Sequence, residues 1–346
     1  MCCLSIRRRM MTIFKGTLSA TTLVLIGACG GSDGGPVNTP APPQDTGTLT
    51  VTISDSPMNN VDRVWLSMNE LVMTDERGLE HRYAVHNPDF DLLNFQGMNS
   101  HPLITGLRIE QGRYHNVHLT IHPGTGNQGS AVENGQGRHG LKAESGYLPM
   151  ADLTVMGGQH LIHTLDVDLY RGMFQTSEGF ELRHMGIRST DYPHMGHLIG
   201  EVDPQWLADC EMEFASLSLP GGVFKHLAYL YPDVVTDIDQ MADSSINRND
   251  QRVLPTAVSP IYADAQGDWH FVMGYLPEGN YRVGYSCLGH LDDPQIDDIN
   301  DGEFVIYRDG GSLTVEAGEG GGHQNVHECG NGHSGGGHGG HGGHGG

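Results

Sequence analysis

Positive charge is scarce in this chain, with 19 Lys and Arg against 42 Asp and Glu. The formal net charge is −23 with neutral histidines. No basic stripe is present to overcome repulsion from a phosphate backbone, which excludes nucleic acid as a partner. Helical periodicity is also scarce. Short alternating apolar runs separated by Gly, Pro, Asn and Asp dominate instead, the pattern of strands and turns. The N-terminal apolar segment, residues 18–26, is too short to cross a bilayer and hold there. Enzyme signatures are missing too: there is no G-x-S-x-G elbow between a strand and a helix, no H-E-x-x-H, no Walker-type phosphate loop and no C-x-x-C-H. No catalytic residue is therefore assigned.

Six cysteines are few for a disulfide scaffold, and their positions point to export. Arg7, Arg8, Arg9 and Lys15 precede the apolar run, and Gly27-Ala28-Cys29 follows it, the layout of a secretory signal. Those residues resemble the lipobox of bacterial lipoproteins. The resemblance implies that residues 1–28 are a signal peptide, and that Cys29 carries diacylglycerol on an amino terminus that is itself acylated, by palmitate or a similar chain. Gly30, with no Asp after the cysteine, resembles the pattern passed to the outer membrane, giving a lipid-anchored protein whose periplasmic or surface face stays open. The mature chain keeps 15 basic and 42 acidic residues, a formal charge of −27. It also keeps Cys210, Cys287 and Cys329 besides the anchor. Cys210 with Cys287 is the expected disulfide, since both flank expected strands while Cys329 lies in a glycine-rich tail; two free buried thiols are the alternative.

In chain order, residues 29–46 form a Gly/Pro/Ser-rich linker. Strands are expected near 49–53, 61–73, 114–122, 152–155, 159–169, 181–187 and 196–202, with a short helix within 165–173 as the alternative there and a polar loop over 123–145. Asp203-Pro204 marks a turn or helix start. Further strands are expected at 224–231, 259–263, 269–273, 281–287, 304–307 and 312–316. The fold class is all-β: two antiparallel β-sandwich domains in tandem, 47–215 and 216–318, between a disordered N-terminal spacer and a disordered His/Gly-rich tail, 319–346.

The opening Gly47-Thr48-Leu49-Thr50-Val51-Thr52-Ile53-Ser54-Asp55-Ser56-Pro57, with the strand Val64 to Met73, resembles the family catalogued as domain of unknown function 4382. Gly112-Arg113-Tyr114, Gly186-Ile187-Arg188 and Gly196-His197-Leu198-Ile199-Gly200 resemble its later signatures. The likeness implies an envelope β-sandwich with no established chemistry. Residues 219–318 are similar to the transthyretin-like or carboxypeptidase-regulatory-like sandwich, through the Leu276-Pro277-Glu278-Gly279-Asn280-Tyr281 turn. That superfamily is described as carbohydrate-binding-like by fold, which assigns no sugar site.

The tail is the sharpest chemical signal. It holds His323, His327, His333, His338, His341 and His344 with Cys329, and imidazole is the commonest protein ligand for Zn²⁺, Cu²⁺ and Ni²⁺. Glycine lets neighbouring rings converge on one ion but fixes no geometry, so capture or buffering fits better than catalysis. Asp292, Asp293, Asp297, Asp298, Asp301 and Glu303 form an acidic loop suited to Ca²⁺, although its spacing is not that of the helix-loop-helix calcium signature. His118 and His122 share a strand face and would need His160 or His163 to complete a site; His184, His194 and His197 are spaced more loosely. The leading reading is an envelope-anchored, non-catalytic lipoprotein that binds or buffers transition metals through its tail, with the lipid membrane and metal ions as partners. The alternatives are an adhesive or matrix module binding glycan or envelope protein, and a metal-dependent hydrolase assembled from scattered histidines and acids.

Overall fold

Threonines alternating with Leu49, Val51 and Ile53 make the first described strand, Thr46–Ser56, whose apolar side chains are fully buried. The computed structural model describes residues 45–56, 61–125, 128–318 and 323–330. The signal segment, Cys29, the linker up to residue 44 and the Pro57 turn lie outside those residues, as do His333, His338, His341 and His344. Among the described residues no helix is long and apolar enough to cross a membrane.

The chain is all-β and builds its sheets in two pairs. In the first pair, a four-stranded sheet runs in the order Ile187–Asp191, His160–Asp168, Thr46–Ser56, His101–Glu110. It faces a ten-stranded sheet centred on Arg63–Asp75 and Gly112–Ile121, and the two bury one core around Leu49, Ile53, Leu66, Leu71, Leu119 and Leu165. In the second pair, Tyr262–Ala263, Trp269–Pro277, Met195–Val202 and His323–Cys329 form one sheet. Ala257–Pro260, Leu227–Pro232, Gly279–Ser286 and Arg308–Val315 form the other, and a second core of Leu198, Tyr229, Phe271, Val283 and Tyr285 lies between them.

Four expectations are corrected. Pairing is not purely antiparallel: Thr46–Ser56 runs parallel to His160–Asp168, and His323–Cys329 runs parallel to Met195–Val202. The expected loop over 123–145 contains a hairpin, Ala131–Asn134 with Gly137–Ala143, in which Arg138 pairs with Glu133 at 2.8 Å; the glycines that suggested a loop supply its turn. Phe304 and Ile306 are buried, but 304–307 is not a strand. The division at 215/216 also moves. Met195–Val202 pairs with Trp269–Pro277 and buries Leu198 and Val202 in the second core, so the second sandwich begins before residue 200.

The connection between the sandwiches is where several later features meet. Asp203 caps the helix Pro204–Glu213 by accepting from the Gln205 N–H at 2.9 Å, with Pro204 in the first turn, where a missing N–H costs nothing. The buried Cys210 of this helix forms a disulfide with Cys287, 77 residues away, just past the strand Gly279–Ser286. On the other side, residues 95–99 fold over the end of Thr46–Ser56 and receive the Ser54 hydroxyl on the Asn99 carbonyl at 2.7 Å. The Tyr275 hydroxyl donates to Met98 O at 2.7 Å. Gly274 permits this approach, because a Cβ there would stand 1.9 Å from the Gly97 carbonyl oxygen. The two sandwiches thus belong to one compact unit.

Candidate functional site

The C-terminal segment departs most from its sequence reading. His323–Cys329 is an edge strand laid parallel on Met195–Val202, in the register Gly200 with His327, Glu201 with Glu328 and Val202 with Cys329. This corrects the expectation of a disordered tail from residue 319. Cys329 is 3% exposed and packs in the second core, where burial pushes its thiol up to about 12. A thiolate is what binds metal, so Cys329 is a core residue and not a ligand while this strand is docked. The His327 Nε2 donates to Gly310 O at 2.7 Å, which fixes that ring against the neighbouring sheet. His323 stands 4.0 Å from a Glu316 carboxylate oxygen at the exposed end.

Docking this strand creates a polar row that sequence reading missed. Across neighbouring strands, Tyr262 lies opposite His270, His270 opposite Glu201, and Glu201 opposite Glu328. Paired positions share a face and adjacent strands lie about 4.8 Å apart, so an imidazole and two carboxylates stand in line. The row borders a cleft of 520 Å³ whose wall also includes Asp203, Asp264 and Asp268, with Trp269 among its apolar lining. Asp264 accepts the backbone N–H groups of Gln266 and Asp268, which holds its carboxyl below the usual range. The last described residue, Gly330, lies on the same wall. The only local signal was the charge of each strand; the alignment depends on a parallel pairing between segments more than 120 residues apart.

The acidic loop is assembled as a polar interior, with most of its carboxylates engaged by protein groups. Asp292 accepts from the Tyr229 hydroxyl at 2.6 Å and from the Ser244 hydroxyl and N–H at 2.8 and 3.1 Å. Burial nevertheless raises its pKa to about 7. Asp293 accepts from the Gln295 N–H, Asp297 caps the turn Asp298–Asp301, and Asp298 accepts from the Asp293 N–H. The buried Arg248 guanidinium takes the central place, 2.7 Å from Asp243 and 3.7 Å from Asp297. Asp301 and Glu303 are exposed. Among the described residues, no group of three or more His, Cys, Asp or Glu side chains is placed to hold a metal ion.

The sandwich histidines do not converge either. His118 and His184 each pack 4.7 Å from Tyr147, on opposite partners of one aromatic contact chain. His160 bonds Thr48, and His163 is buried, with burial lowering its pKa. Both lie in the sheet opposite His118. His194 pairs with Asp191 at 3.1 Å, while His197 accepts the Tyr275 N–H beneath that ring.

With this geometry in place, comparison with known families adds one result. Residues 46–183 match the model of the family described as Domain of unknown function (DUF4382). No curated protein and no solved structure matches the chain. The DUF4382 match spans the strands that enclose the first core except the edge strand Ile187–Asp191, and it ends before Met195–Val202, which the fold assigns to the second. The His270–Glu201–Glu328 row and the tail therefore lie outside the DUF4382 region.

Proposed function

We propose that the protein is an envelope-anchored lipoprotein that captures and buffers late transition metal ions, Zn²⁺, Cu²⁺ or Ni²⁺, through the histidines beyond Gly330, without catalysis. The observation that carries this reading is the place of Gly330, the last described residue. Gly330 lies on the wall of the acidic cleft, beside Glu328 and the His270–Glu201 pair. His333 follows three residues later, a reach of about 10 Å in extended chain. A divalent ion held by the imidazoles of His333, His338, His341 and His344 would thus be attracted to the carboxylates at the base of the tail, while the tail's glycines let the donor set adapt to more than one ion. The lipobox-like Cys29 confines that capture to a membrane surface, and the Cys210–Cys287 disulfide fits an oxidising compartment. We read the second sandwich as transthyretin-like. Its Leu276–Tyr281 arch carries the chain from one sheet to the other and is tied by the Tyr281 hydroxyl, which donates to Pro277 O at 2.8 Å.

The test is equilibrium dialysis of Zn²⁺ and Cu²⁺ against the full chain and against a chain ending at Gly330. Cutting at 330, rather than before the strand His323–Cys329, keeps that strand and its pairing with Met195–Val202 in the shortened chain. Loss of the tight sites is expected, and unchanged tight binding would sink the reading.

A further inference from the structure

The strand His323–Cys329 is bonded on one side only. Its sheet ends there, and among the described residues no strand pairs with its outer edge. One bond fixes which way its backbone groups point. The Asp203 N–H donates to the Cys329 carbonyl at 2.9 Å, so Cys329 turns its N–H and C=O toward Met195–Val202. In a parallel pair, alternate residues bond to opposite sides of their strand. Asn325 and His327 therefore share the inner ladder with Cys329, while Gln324, Val326 and Glu328 direct their N–H and C=O groups to the open edge.

The strand carries none of the usual guards of such an edge. Residues 323–329 contain no Pro and no Lys, their register with Met195–Val202 runs without a bulge, and Glu328 is the one acid. The side chain at the centre is apolar and exposed, with Val326 64% accessible. Val326 lies opposite Ile199, and Ile199 opposite Val272, both half-buried. An apolar row thus crosses the outward face of three neighbouring strands and stops at the edge.

We propose that this edge pairs with the same edge of a second copy of the chain, antiparallel about a twofold axis at Val326. The open backbone groups, those of residues 324, 326 and 328, form a set centred on Val326. An antiparallel copy places Val326 against Val326 and Gln324 against Glu328, so every open N–H of one strand meets an open C=O of the other. The charges fit the same register. Each Glu328 faces a Gln324 amide, whereas an axis centred on Glu328 would set carboxylate against carboxylate. The apolar row is continued too, from Val272, Ile199 and Val326 of one copy into the same residues of the other. Asn325 and His327 already bond to Glu316 and Gly310 on the inner side and need nothing from a second copy. A twofold contact is closed, so it gives dimers and not filaments. It uses the described strand and not the histidine tail, so it stands apart from the metal reading.

The experiment is sedimentation equilibrium of the full mature chain in density-matched detergent with chelator, so that no metal bridges two tails. Salt of about 0.15 M screens the repulsion between the acidic chains. Twice the single-chain mass is expected at tens of micromolar. Val326→Pro removes the central outward N–H and leaves the inner ladder its donors, and Val326→Lys sets like charges across the axis; both should return the single-chain mass. As a second readout, Val326→Cys should cross-link to itself with a short bismaleimide, whereas Val234→Cys, at a position 66% exposed away from this edge, should not. A parent of single-chain mass throughout overturns the proposal, as does a dimer that survives both Val326→Pro and Val326→Lys. Equal cross-linking of Val234→Cys counts against it in the same way. A parent that dimerises only once residues 331–346 are removed would place the chain's own tail on the edge instead.

Discussion

Replacing Asp292 by asparagine isolates one buried ionisation and gives its sign and size in advance. Burial raises the carboxyl from 3.8 to about 7 even though Tyr229 and Ser244 donate to it. The folded state therefore keeps a proton that the unfolded chain has already released. Stability from this group is fully present below the unfolded value and is lost as pH rises through about 7. Between about pH 5 and about pH 7.5 the loss works out at roughly 2–3 kcal/mol. The buried histidines His163, His197 and His226 act in the opposite sense: burial lowers their pKa, so their contribution is lost as pH falls. The net profile of the parent chain mixes both effects, and only the difference between parent and variant is diagnostic. Urea unfolding of both proteins across that range should show Asp292→Asn costing roughly 2–3 kcal/mol more at the acidic end than at the alkaline end. Any fixed penalty from the new amide cancels in the comparison. A cost that stays constant within about 0.5 kcal/mol would refute the reasoning, because the carboxyl would then titrate alike in both states.

Two further outcomes test the scaffold. A chain ending at Gly330 should unfold at the parent urea midpoint, whereas one ending at residue 322 should lose roughly 2–4 kcal/mol, because it forfeits seven paired positions, the burial of Cys329 and the His327 bond to Gly310; equal midpoints for the two truncations would mean that the strand adds nothing. Replacing both Cys210 and Cys287 by alanine should cost up to about 4 kcal/mol, since the bridge spans 77 residues of chain, and reductant should produce a similar loss in the parent but none in the variant.

What could be read from the sequence follows how local each signal was. Alternation at Leu49, Val51 and Ile53 gave a strand with the correct inner face, and Asp203-Pro204 gave a turn or helix start, the second of which the structure has, because each rests on residues within one turn or pleat. The strand His323–Cys329 left no such trace: its outward Val326 is 64% exposed and its inward residues are His, Asn and Cys, so no apolar alternation marks it. Its stability comes from a partner strand more than a hundred residues away, and such pairings have no local signature. The buried aspartates were hidden for a related reason. In Leu165-Asp166-Val167-Asp168-Leu169 the acids alternate with core residues, which reads as a strand with one wet face. That face is dry because the second sandwich covers it, with Thr256 and Val258 supplying the acceptor and donor for Arg188 and Asp168. The acidic loop repeats the pattern, since its density of Asp suggested a bound cation while Arg248, Tyr229 and Ser244 supply the partners from outside it. In each case the charge pattern was visible and its compensation was not.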